Sequence, residues 1–152
     1  MEFLAELHPK VVHFPIALFI IYTFIEIIGA ALNKEQFTKT APVLLSLGVL
    51  FAVAAVLTGN QALETGKIIF GLQRQFPQSI VSLHEKYATI TLWYFLFLLI
   101  LRTYFVIKKK LTKTFLIIFS ALGLVGCYLI YLTGSYGADL VYKFGVGIKL
   151  LP

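Results

Sequence analysis

The fold class that this sequence predicts is all-helical: an integral-membrane four-helix bundle made of two weakly repeated helix-hairpin halves. Three observations predict it. Hydrophobic residues make up 59 % of the 152-residue chain and charged residues only 13 %, a composition that does not suit a soluble globule. The mean hydropathy is +0.90. The apolar residues also gather into four stretches of bilayer length joined by short connections, and about 20 residues are enough to cross the hydrocarbon core. Residues 1–152 therefore read as one four-span domain.

The first span, about 11–32, opens on "HPKVVHFPIAL". It has no basic stretch before the apolar run, contains Glu26, and outruns the roughly 7–15 apolar residues of a signal peptide. The expectation is that it stays in the mature protein. The second span covers about 42–58, the third about 88–107, and the fourth about 114–132. Glu26 falls deep inside the first span, where a carboxylate is costly. The expected solution is a protonated glutamic acid hydrogen-bonded to Ser46 or Ser120. Cys127 is the only cysteine, so no internal disulfide can form, and a lone thiol in a span packs as a small hydrophobe.

The net charge of +6 could point to nucleic acid, but its distribution does not. Residues 33–41 and 102–113 carry Lys34, Lys39, Arg102, Lys108, Lys109, Lys110 and Lys113. By the positive-inside rule these two connections face the cytoplasm. Both termini and the 60–87 connection then face outward. No P-loop, nucleophile elbow, paired cysteines or dinucleotide fingerprint is present.

The two halves echo each other. "VVHFPIALFIIY" precedes a second helix and "LTGNQALETGKIIFGL", while "SLHEKYATITLWYF" precedes a fourth helix and "LTGSYGADLVYKFGVGI". Aligned in this way, His13 corresponds to His84 and Leu57-Thr58-Gly59 to Leu132-Thr133-Gly134. The histidine-to-glycine intervals are 46 and 50 residues, and Phe70-Gly71 and Phe144-Gly145 follow the triplets. Parallel repeats are related by an axis along the membrane normal, which gathers the histidines and both triplets at the outer end.

Two imidazoles on different helices, facing each other across such an axis, are what a six-coordinate haem iron requires. The expected ligands to the metal are His13 and His84. Gly59 and Gly134 would leave room for a flat macrocycle, Phe14, Tyr87, Tyr131 and Tyr136 would supply ring contacts, and Lys10, Lys86 and Arg74 would meet the propionates. His8 is five residues from His13, about 140° around a helix, so its expected role is at the helix entry or beside a propionate. The rival chemistry is a zinc or copper site in which His8 serves as third ligand and Asp139 or Glu85 completes the shell. Plain structural hydrogen bonding is a further rival. Tyr136–Gly147 reads as an outer segment, either folding back over the site or forming an interfacial tail.

"LHPKVVHFPIAL" at 7–18, the second histidine at 84 and "TGSYGADLVYKFGVG" near the C-terminus resemble the bacterial membrane family catalogued as domain of unknown function 2231. Ala138 stands where members often carry a second glycine. The resemblance covers essentially the whole chain. It implies a small inner-membrane protein of four spans, and because some members stand beside or are fused to c-type cytochrome modules, it implies redox company. The expected function is thus a membrane b-type cytochrome that carries electrons between quinone or a membrane partner and a periplasmic c-type cytochrome or respiratory complex. It is expected to be an electron-transfer protein rather than a stand-alone enzyme. A structural subunit of a larger complex is the alternative. Three histidines cannot make two bis-histidine sites unless another ligand type or a homodimer interface contributes.

Overall fold

The computed structural model describes residues 2–71 and 77–146. The described residues form helices α1 (Glu2–Val11), α2 (His13–Leu32), α3 (Glu35–Gly71), α4 (Gln78–Ile107) and α5 (Lys113–Tyr142). Four stretches are long and apolar enough to cross a membrane: Phe3–Leu32, Glu35–Ile68, Gln78–Ile107 and Lys113–Tyr142. The first runs through α1 and α2 together. Pro15 has no N–H to bond the carbonyl of Val11 one turn back, and α1 and α2 meet at Val12, whose backbone stays helical.

The helices overrun the apolar cores that the sequence marks. α3 has 37 residues, about 55 Å at the helical rise, whereas the hydrocarbon core is about 30 Å thick. The surplus lies largely at the end that carries His8 and His84, where α3 continues past Thr58 and α5 past Leu132. Tyr136–Tyr142, read from the sequence as a separate outer segment, instead continues α5 as helix. Glycine and polar residues there do not stop it, because an α-helix past the bilayer needs no apolar surface. The rest of that segment beyond Val146, like Arg74, lies outside the described residues.

Around the bundle the order is α2, α3, α4, α5, with α1 continuing α2 against α3. α1–α2 and α4 are therefore diagonal, and they meet only through side chains on the axis. Two such meetings are stacked along it, and His8 and His84 occupy corresponding places at one end. Phe19 and Phe95 stack with ring centroids 3.7 Å apart and planes within 3°. Glu26 pairs with Arg102 at 2.6 Å. Each pair is separated by 76 residues in sequence, so one register relates α1–α2 to α4. On the other diagonal, Thr58 and Thr133 correspond at 75 residues.

Glycines make the central approach possible. A Cβ on Gly48 would strike the Phe19 ring, and one on Gly126 the Phe95 ring. Small residues of this kind let membrane helices pack closely where no hydrophobic effect drives them together. The large apolar side chains left outside, such as Trp93, Phe97 and Ile100 on α4, suit a surface surrounded by lipid.

The half of the bundle away from His8 and His84 corrects two expectations. Glu26 does not bond Ser46 or Ser120, because each serine hydroxyl donates to its own helix, at Pro42 O (2.8 Å) and Leu116 O (2.9 Å). Its partner is Arg102, which the charge pattern had assigned to the connection after the third span. Arg102 and Glu26 are both fully enclosed. Arg102 Nη2 also donates to Thr38 O at 3.2 Å, and the guanidinium lies 5.3 Å from the Phe119 ring centroid. Thr38 O is available because Pro42, four residues on, has no N–H to donate to it. A helix-breaking residue in α3 thus creates the acceptor that docks an arginine from α4.

Candidate functional site

The histidine-bearing end is built from α1 and α4 on one diagonal and α3 and α5 on the other. His8 Nδ1 lies 3.2 Å from Thr58 Oγ1. The Thr58 hydroxyl also lies within reach of carbonyls of its own helix, Ala54 O at 2.9 Å and Ala55 O at 3.1 Å, so its one proton has three acceptors to choose among, and either His8 Nδ1 or Thr58 Oγ1 can be the donor between them. His84 Nδ1 lies 3.0 Å from Thr133 O. A carbonyl can only accept, so His84 carries its proton on Nδ1. For His84 this leaves Nε2 as the unprotonated nitrogen of the unionised ring, the tautomer, fixed from behind by an oxygen acceptor, that metal-binding histidines adopt. The His8 ring is also hydrogen-bonded to the Ala55 backbone.

The site residues expected from sequence do not all come together here. His84 faces the axis. His13 opens α2 on the exposed side, whereas His8 turns inward toward Thr58. The reason is the helix start. Because α1 begins at Glu2, His8 sits within a formed helix, and His13 lies on the far side of the chain. Lys10 and Lys86 are exposed at the same end. Tyr87 and Tyr136 stack at 5.3 Å and Phe14 stacks on Phe51 at 4.9 Å, while Tyr131 faces outward.

The glycines divide in the same way. A Cβ on Gly59 would sit 3.0 Å from His8 Cε1, so this glycine lets α3 approach the imidazole. Gly134, its counterpart in the repeat, is exposed, and a Cβ there would meet nothing within 4 Å. Gly137, one turn later, takes the role: a Cβ there would lie 3.1 Å from His84 Cε1. Gly59→Leu and Gly137→Leu should therefore each push an imidazole off its Nδ1 partner and lower the thermal midpoint by several degrees. Gly134→Leu should leave it within about a degree, since exposed substitutions cost little. A melting series of the three variants in detergent checks this, and equal losses at all three would contradict it.

Among the described residues, no three histidine, cysteine, aspartate or glutamate side chains gather closely enough to share a metal ion. Asp139, a candidate fourth ligand, is held by Lys143 at 2.9 Å. A three-histidine zinc or copper centre has no geometric support there. The two histidines form a pair, with Thr58 and the Thr133 carbonyl as its outer shell. The threonines of the two Leu-Thr-Gly triplets, more than their glycines, are what the repeat holds in common at this level.

Fold and site together define a four-helix membrane bundle with paired imidazoles at one end of its axis and a buried ion pair toward the other. The chain belongs to the family described as "Predicted membrane protein (DUF2231)", which matches residues 5–150. Comparison with curated proteins and with solved structures finds no match.

Proposed function

We propose that the protein is a b-type cytochrome whose haem iron is held by His8 and His84. The observation that carries this reading is the pair of Nδ1 hydrogen bonds, to Thr58 Oγ1 and Thr133 O. They anchor one imidazole on each of two diagonal helices through Nδ1, which leaves Nε2 as the nitrogen each ring would offer to iron. Cofactor sites in helical bundles are commonly built from side chains on facing helices, and this donor set suits a six-coordinate haem. When bound, haem supplies reversible one-electron chemistry. The chain supplies ligands, a surround of helices, and the cations Lys10 and Lys86 near the outer rim, where carboxylates of the cofactor would be neutralised. Quinone or a membrane partner on one side and a periplasmic c-type cytochrome or respiratory complex on the other are the proposed electron partners. Absorption of the protein purified from cells supplied with haem precursor tests it. One haem per chain with sharp reduced α and β bands is expected. A chain that stays colourless after haem is added contradicts the proposal and favours a structural subunit, in which the same hydrogen bonds merely clasp α1 to α3 and α4 to α5.

We also propose that both termini and the histidine pair face the periplasm of a bacterial inner membrane. With Arg102 buried, the 33–41 and 102–113 segments still hold six exposed-end lysines, and Lys108–Lys110 form the turn between α4 and α5. This is the cation excess of a cytoplasmic connection. Cysteines introduced at Ser79 and at Lys109 should differ on intact spheroplasts. The Ser79 site should react with a membrane-impermeant maleimide and the Lys109 site should not. The opposite pattern would invert the orientation.

A further inference from the structure

The Glu26–Arg102 pair leaves two polar groups without partners. The Tyr22 hydroxyl and Arg102 Nη1 are both buried and have no hydrogen-bond acceptor or donor within reach. Tyr22 and Arg102 are completely enclosed. Tyr22 precedes Glu26 by one turn on the buried face of α2, and Glu26 pairs with Arg102, so the orphaned groups lie on the two sides of one ion pair. Leaving two such groups bare in a lipid-surrounded interior forfeits their hydration with nothing in return, at the greater cost for the charged one. Native interiors resolve such orphans with ordered water, which typically makes about three hydrogen bonds to otherwise unsatisfied groups.

We propose that the bundle encloses a water site, and that a water there joins the Tyr22 hydroxyl to Arg102 Nη1. The chemistry of the donors selects water. Glu26 already balances the guanidinium charge, so the remaining N–H seeks a neutral acceptor rather than an anion. Water can accept from Arg102 and still donate to, or accept from, Tyr22, which no aliphatic ligand can do. The absence of side-chain or backbone acceptors at both atoms excludes an internal solution. The site is distinct from the histidine pair: on unbroken α4, His84 and Arg102 are 18 residues apart, about 27 Å. It does not depend on what the imidazoles hold.

Infrared spectra of the protein in nanodiscs, hydrated with H2(16)O and then H2(18)O, test this. Wild type should show an isotope-sensitive O–H stretch from an isolated, slowly exchanging water. Tyr22→Phe, which keeps the ring and deletes only the hydroxyl, should lose or shift that band. It should also melt about 2–4 °C lower, as loss of a bridging hydrogen bond predicts for a chain of this size. An unchanged band in Tyr22→Phe, or a variant that melts higher than wild type because an unsatisfied hydroxyl has been removed, would overturn the proposal. Should the variant fail to assemble, a density map of the wild type at water-resolving resolution decides. Density within hydrogen-bond distance of both Tyr22 Oη and Arg102 Nη1 supports the site. An empty cluster, or bromide replacing the density after halide exchange, overturns it.

Discussion

Glu26→Leu is expected to be among the most damaging single substitutions in the protein, costing about 3–5 kcal/mol and on the order of 10 °C in melting temperature. It strands Arg102 at full burial, and a guanidinium cannot shed its proton to escape. Arg102→Met should cost less, because a lone carboxyl in an apolar interior can take up a proton and become neutral. The double variant Glu26→Leu/Arg102→Met should recover most of the loss, since replacing a buried ion pair by apolar side chains of similar volume is often neutral or stabilising. Thermal melts of the three variants check the order. If both single variants cost the same and the double variant adds their losses, the two residues do not act as a pair. Recovery by the double variant would also show that the pair specifies how α2 and α4 register across the axis more than it stabilises the fold.

His8→Ala and His84→Ala are each expected to remove the low-spin haem spectrum completely, whereas His13→Ala should leave it unchanged. The contrast follows from geometry. His8 and His84 are fixed through Nδ1 by Thr58 and Thr133, while His13 lies on the exposed side of the chain. Each alanine variant keeps one imidazole, so haem can remain bound through a single ligand and become high-spin. Thr58→Val deletes the hydrogen-bond partner behind His8 while preserving shape, and should weaken retention by about 10–100-fold, the usual effect of losing an outer-shell partner. Absorption and haem content of the purified variants are the measurements. A low-spin spectrum that survives His8→Ala but not His13→Ala would return the ligand role to the later histidine.

Much of this was legible in the sequence, in a register the first alignment passed over. The four spans, their pairing into halves and the gathering of histidines at one end follow from hydropathy and repeat markers alone. Pairing His13 with His84 is natural when the helix is taken to begin at the apolar run, near Val11. The chain instead enters the helix at Glu2, and Leu7-His8-Pro9-Lys10 then aligns with Leu83-His84-Glu85-Lys86 at a spacing of 76. That spacing also aligns Phe19 with Phe95 and Glu26 with Arg102. A buried carboxylate facing a cation at the equivalent place was a detectable signal. Arg102 was hidden because it stands six residues before a run of lysines, and hydropathy does not say where a helix leaves the membrane. Thr58 and Thr133 were visible only as neighbours of glycine, since a hydroxyl or a carbonyl behind an imidazole has no sequence signature. Gly137 in place of Gly134 could not have been read at all. It depends on how α5 rotates against α4.

The claim that one imidazole from each half holds a single iron is tested most directly by electron paramagnetic resonance of the oxidised, haem-loaded wild-type protein. Two histidine ligands predict a low-spin ferric signal. In protein enriched with (15)N-histidine, they also predict pulsed-resonance couplings from two equivalent axial imidazole nitrogens. A high-spin signal, or coupling to only one labelled imidazole, would contradict the account.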